Sequence, residues 1–268
     1  MRKITINLAA VAAFCIVVAS PALVSSSCAT PKTEQEDTTI IREDSGITAL
    51  KYSSPEVPAS IEFCGKTIDL SRFDRHERMD RELLAFTYMH STSLQMLKKA
   101  NRYFPIVEPI LKENGIPDDF KYLMVIESNM NPTARSSAGA AGLWQFMQGT
   151  GRDYGLEVNN NVDERYHIEK ATRAACRYLK DAYAKYKDWV AVAASYNAGQ
   201  ARIASQLAKQ DVDDSLDLQL VEETARYVYR ILAAKQLFNA PTTFGFRLRA
   251  SDLYPPIPYK AVSYTHLR

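Results

Sequence analysis
The stretch IPDDFKYLMVIESNMNPTARSSAGAAGLWQFM, residues 116–147, decides how the rest of the chain is read. Pro117, Asp118 and Asp119 make a helix start, because proline fits a first turn and carboxylates there complement the positive end of the helix dipole. The spacing predicts a helix from about residue 117. Phe120, Leu123, Met124 and Glu127 fall on one face of a 3.6-residue period, so the glutamate continues an apolar stripe. Pro132 disfavours helical geometry at Asn131, and Asn129 and Asn131 are poor interior residues, which puts Glu127 in the last turn. The carbonyl end of a helix and an apolar face both disfavour negative charge, and both raise a carboxyl pKa. A carboxyl kept protonated near neutral pH is what general-acid catalysis needs. The competing reading is structural: a glutamate that snorkels to solvent or pairs with Arg135.

Residues 136–142 are all Ser, Ala or Gly, and residues 143–147 turn large and apolar around one amide, Gln145. Small residues permit tight turns and close approach of a polymer, and the block after them makes a wall. Here the sequence resembles the catalytic motif of lytic transglycosylases of the soluble-lytic-transglycosylase (SLT) type, related in fold to goose-type lysozyme. The resemblance rests on Glu127-Ser128, Asn131-Pro132, Ala134, Ser136, Gly139-Ala140, Gly142-Leu143 and Gln145-Phe146-Met147, about a dozen positions. GIPDDFKYL before the glutamate and WQFM after it most resemble the membrane-bound D type. One departure is Gln148, where the family usually has proline; another is that no wall-binding LysM repeat follows.

Two later blocks extend the resemblance. Residues 189–199, WVAVAASYNAG, read as a helix that is apolar nearly all round and stopped by Gly199, so it should be central. Tyr196 and Asn197 are its polar exceptions. An unpartnered buried amide costs about 1–3 kcal/mol, so Asn197 is either paired inside the protein or aimed at a ligand. Residues 218–238 read as a long helix containing EETARYVYRI, whose Glu223-Thr224 and Tyr227-Val228 match the family's third block; Tyr229 has no such match and is expected in the core. Residues 168–186 form a further helical period, and residues 149–163 read as loop with at most a short helix, carrying Asp153, Tyr154, Glu157 and Asp163.

The resemblance implies a mainly α, lysozyme-like (goose-type/SLT) domain with a catalytic cleft, preceded by a short helical extension. It implies cleavage of peptidoglycan between N-acetylmuramic acid and N-acetylglucosamine, with Glu127 as the catalytic residue serving as acid and then base, and 1,6-anhydro ends as product. Ser136, Gln145, Met147, Tyr196, Asn197 and Tyr227 are the matched substrate-binding positions. No cofactor is implied, and no metal spacing links His76, His90, His167 or His266 to the cysteines. Two alternatives stay open: a lysozyme-like hydrolase using an acidic residue of 153–163, and a catalytically weak wall-binding protein.

The rest of the chain bounds these readings. At 268 residues, 46% hydrophobic and 24% charged, it can bury one sizeable core, and one domain is expected. A net charge of +2 argues against a nucleic-acid binder relying on bulk charge. Residues 1–28 have the basic, apolar and small-residue order of a secretory signal. Cleavage after Ala22, lipidation of Cys28 and a retained anchor are the competing fates, and the sequence leans to the lipoprotein. An exported, periplasmic protein follows, with membrane attachment through an N-terminal lipid, peptidoglycan glycan strands as partner and a monomeric state. Cys64 and Cys176 are then the only pair free to bridge, with a buried free thiol as the other reading of Cys176.

Residues 29–58 read as a flexible linker, 59–108 as an N-terminal helical extension, 109–240 as the catalytic domain and 241–268 as a C-terminal arm. Within the extension, 61–70 suggests a short strand or hairpin turning at Gly65. Apolar stripes broken at Asn101 and Pro105 suggest two packed helices, and the alternating charges from Arg75 to Arg81 suggest a solvated face. Residues 261–268 resemble a translated sequencing adapter and are given no function.

Overall fold
The computed structural model describes residues 54–212 and 214–257. The leader, Cys28, the linker up to residue 53 and the tail from 258 lie outside the described residues. The polypeptide from residue 54 opens with a hairpin, β1 (Ser60–Phe63) and β2 (Lys66–Asp69), paired antiparallel with Ile61 opposite Ile68. It turns at Cys64 and Gly65, both at positive φ. Eight helices follow: α1 (Phe73–Tyr88), α2 (His90–Glu113), α3 (Phe120–Ser128), α4 (Gln148–Asp153), α5 (Ile168–Tyr186), α6 (Trp189–Ala198), α7 (Gln200–Lys209) and α8 (Glu222–Asn239). None of these described helices is long and apolar enough to cross a membrane.

The break between the first two long helices falls at Met89, not at Asn101 and Pro105 as the sequence suggested. Helix α2 runs through both Pro105 and Pro109, which lie on its exposed face. The carbonyls those prolines leave unpaired lie on the solvent side, so the usual cost of an internal proline is eased. At Met89 the chain bends instead, and the buried Ser93 hydroxyl donates to the carbonyl of Phe86 at 2.6 Å, tying the two helices together. Position 108–109, the expected edge of the catalytic segment, falls inside α2, and α1 packs along α8, so both segments share one core.

The charged run 75–81 also needs correction. Arg75 is 7% exposed and pairs with Asp214 at 2.8 Å and Asp217 at 3.1 Å. Arg75, Met79, Glu82, Leu83 and Phe86 share the inward face of α1, which lies against α8. The alternating charges hid that face.

Around α3 the local chemistry is well determined. Pro117, Asp118 and Asp119 form a turn of i to i+3 bonds, and the α-helix proper starts at Phe120, three residues after the expected start. Asp119 ties this start to two other elements, accepting from the Cys64 amide at 2.7 Å and pairing with Lys235 of α8 at 2.8 Å. The helix ends at Asn129, which adopts the left-handed region at φ 50°, and Asn131 then accepts from the amide and hydroxyl of Thr133 in an Asx turn. Helix α6 is central as expected, with Val190 through Ser195 all buried. Cys64 and Cys176 are free thiols. Residues 241–257 make two 3-10 turns and then lie on α2, where the Tyr254 amide donates to Lys98 and Asn101 donates to the Tyr254 carbonyl, both at 3.0 Å.

Candidate active site
Glu127 is the penultimate residue of α3 and is only partly accessible. It does not pair with Arg135. The hydroxyl of Tyr227, from the first half of α8, donates to its Oε1. Burial lifts the Glu127 carboxyl to about 7. The Tyr227 hydrogen bond and the positive charge of Arg230 pull it down, and the negative charge of Glu223 pushes it up further. Desolvation wins, so near neutral pH the side chain exists in both protonation states. The Tyr227 and Tyr196 hydroxyls are pushed well up, first by burial and then by the charge on Glu127, and stay neutral donors.

Tyr196, at the end of α6, joins this centre to the loop 133–147. Its hydroxyl donates to the Trp144 carbonyl at 2.8 Å, and its ring lies 6.2 Å from that of Phe146. The loop is folded on itself through bridges between Arg135 and Ala141 and between Ala141 and Phe146. Ser136 Oγ accepts from the Ala140 amide at 3.0 Å, and Gln145, at φ 48°, donates through Nε2 to the carbonyls of Gly142 at 2.8 Å and Ala134 at 3.2 Å. Met147 is 46% exposed and stands just before α4, so Gln148 occupies the first helical position. That position suits proline, and Gln148 fills it without disturbing the helix start.

Asn197 is satisfied within the protein: its Oδ1 accepts from Thr224 at 2.8 Å, and its Nδ2 reaches Glu223 at 3.5 Å. The structure therefore gathers Glu127, Tyr196, Tyr227 and, through Glu223, Asn197 around one point. Ser136, Gln145 and Met147 lie on the loop that Tyr196 anchors. Of the acids expected from 153–163, Asp163 is held by Arg165 at 2.7 Å, and Tyr154 packs edge-on against Tyr178 at 5.3 Å.

Sequence reasoning missed Arg165. It is 4% exposed, and its guanidinium donates to the carbonyls of Gly139 at 2.8 Å and Phe146 at 3.0 Å while Asp163 holds its other edge. It pins the loop wall from behind. Gly142 belongs to the same clamp: at φ 77°, a Cβ there would sit 1.9 Å from the Arg165 carbonyl oxygen. A lone arginine eighteen residues after the wall gives no periodic signal, which is why it was not found. A depression of about 960 Å3 lies at the other end of α3 between Pro105, Pro109 and Lys121. Lys121 there is paired with Glu108 and Asp118.

Residues 105–217 match the family described as Transglycosylase SLT domain. The chain is 30% identical over 181 residues to the membrane-bound lytic murein transglycosylase D of Escherichia coli K12, covering 66% of this chain and 39% of that protein. It is also 30% identical over 138 residues to the peptidoglycan transglycosylase gp16 of phage T7, covering 49% of this chain and 10% of that one. The X-ray structure of the lytic transglycosylase Slt from Pseudomonas aeruginosa is similar at 22% identity and TM-score 0.45, over 53% of this chain and 24% of that one. The chain thus spans about two fifths of the length of the first of these relatives. The matched segment carries Glu127, the whole loop wall and the Tyr196-Asn197 pair, so the residues of the candidate site that lie on α3, the loop and α6 all fall where the chain is similar to the transglycosylase SLT domain family.

Proposed function
We propose that this chain is a peptidoglycan lytic transglycosylase acting on the β-1,4 bond between N-acetylmuramic acid and N-acetylglucosamine. One observation carries the reading: a single carboxyl, lifted by burial to about 7, accepts from the Tyr227 hydroxyl and lies close enough to Tyr196, the residue that anchors the loop 133–147, for its charge to act on that hydroxyl. A group with its pKa near the working pH can lend a proton and recover one at little cost in either step. Protonated Glu127 gives its proton to the glycosidic oxygen as the bond to the muramic anomeric carbon breaks. The resulting carboxylate takes the proton of the muramic C6 hydroxyl, whose oxygen closes on that anomeric carbon. A 1,6-anhydro ring forms, the departing sugar keeps the first proton, and no water is consumed. Tyr227 holds the carboxyl in place through both steps. Ser136, Gln145, Tyr196 and Asn197 shape the glycan path, with their remaining lone pairs and neighbouring backbone meeting sugar hydroxyls and acetamido groups, and Met147 packs on a ring face.

One observation favours a second reading. Hydrolysis with inversion needs a second carboxylate to activate water, and Glu223 is the acid whose charge reaches Glu127. Mass analysis of fragments released from purified sacculi separates the two. Anhydro ends, lighter than reducing ends by one water, support the lyase; reducing ends throughout contradict it.

We assign catalysis to the segment 109–240, with 59–108 sharing its core, and place the monomeric enzyme outside the cytoplasm, anchored through Cys28. Palmitate incorporation into the full chain, and its loss in Cys28→Ala, tests the anchor.

A further inference from the structure
Beside the Glu127–Tyr227 pair lies a pocket of about 310 Å3 built by three helices. Arg226 and Arg230 line it from α8, one turn apart and on either side of Tyr227, while Ile126 and Asn129, flanking Glu127, line it from α3. The third side is α1, which precedes the SLT segment and contributes Glu82 and Phe86. Glu82 is 1% exposed; it accepts from Arg226 Nε at 2.6 Å and lies 3.6 Å from Arg230 Nε. Among the residues lining the pocket, two guanidiniums face one carboxylate. Arg226 meets Glu82 through Nε, and its Nη groups donate no hydrogen bond among the described residues. The arginine side chains keep 27% and 36% of their surface exposed, whereas the Glu82 side chain keeps 2%. A fully consumed ion triad would be structural. This one holds its acid in the interior and presents spare planar donors to an open pocket lined by the neighbours of Glu127 and Tyr227, the arrangement that suits a carboxylate ligand.

We infer that Arg226 and Arg230, braced by Glu82, form a binding site for a carboxylate carried by the glycan strand. The identity of that strand rests on the transglycosylase reading. The sugar rings of such a strand are uncharged, so its carboxylates come from two sources: the lactyl group of muramic acid once peptides are removed, and the peptide stem where it is present. The site lies within a residue or two of both Glu127 and Tyr227, so a carboxylate held there fixes the register of the strand relative to the acid. It also explains why a helix outside the family segment delivers a buried glutamate to this place.

The test is calorimetric binding of short strands in the Glu127→Gln background, so that nothing is cut. Three ligands are compared: peptide-bearing strands, stripped strands with free lactyl carboxylates, and stripped strands whose carboxylates are converted to methylamides. The site predicts that at least one anionic strand binds about tenfold tighter than the methylamide, the scale of one charge-assisted contact. Whichever anionic strand shows the preference identifies the source of the carboxylate. Arg230→Gln, and Arg226→Gln paired with Glu82→Gln so that no buried charge is stranded, should abolish the preference and leave methylamide binding unchanged. Equal binding of all three strands, or an equal loss for all three in the variants, overturns the inference. Because binding is read without turnover, failure to release anhydro products would contradict the lyase reading and leave this result standing.

Discussion

On the loop side of the site, from Thr133 to Met147, hydrogen bonds fold the segment on itself: Ser136 accepts from Ala140, Gln145 donates to two carbonyls, and Arg165 donates to the carbonyls of Gly139 and Phe146. On the side where α3 meets α8, the acid is held at a pKa far from its ordinary value, and two arginines keep exposed surface beside it. The loop side is tied to itself and to Arg165, as suits a surface whose value is shape. The helix side carries the cost of burying an ionisable group. Chemistry and fit have been assigned to different structural elements.

That division can be broken from either side. The largest effect is expected at Glu127→Gln, which removes the proton donor while keeping size and hydrogen bonding. Release of fragments from sacculi should fall roughly a thousandfold or more with an unchanged fold by circular dichroism. The same variant has a stability signature whose sign follows from the raised pKa. Wild type binds more protons folded than unfolded between the ordinary value of 4.5 and about 7, so burial of the charge costs stability as pH rises through that window. Glu127→Gln should therefore be more stable than wild type at pH 8, by on the order of 3 kcal/mol, and no more stable at pH 4. Chemical denaturation at the two pH values reads this out.

A wall mutation should act the other way. Gly142→Ala drives a methyl into the Arg165 carbonyl, 1.9 Å away, and strains a residue at φ 77°. It should lower stability by about 3 kcal/mol and the melting temperature by roughly 10 °C, read by thermal scanning, with Glu127 still titrating near 7. A Glu127 midpoint that moved with the wall would show that the two sides are not separate. The smallest effect is expected at Tyr227→Phe. Its hydrogen bond holds the Glu127 carboxyl down, so its loss should move the alkaline limb of the pH–rate profile to higher pH and lower the maximal rate about tenfold.

The elements that sequence revealed best are those whose burial pattern follows one period. Helix α5 begins and ends where the apolar spacing put it, at Ile168 and Tyr186, and α6 shows its all-round apolarity as a central position. Helix α7, QARIASQLAK, was not anticipated; only Ile203 of its ten residues is buried, with Leu207 packed partly against the core. The prolines of α2 misled for a related reason: their effect depends on which face they occupy, and face is a tertiary property. At the site, Glu127 and the two tyrosines were legible because they sit in compact blocks. Arg165, Glu82, Arg226 and Arg230 were not, since each looks, in sequence, like an ordinary surface charge.

The most direct test of the account is the titration of the Glu127 carboxyl itself. The full chain would be labelled with 13C at glutamate side-chain carboxyls and its spectra followed from pH 3 to pH 9, with Glu127→Gln identifying the resonance. A midpoint near 7 is predicted. A midpoint at the ordinary value of 4.5 would contradict the claim that burial holds this carboxyl in readiness to give up and reclaim a proton.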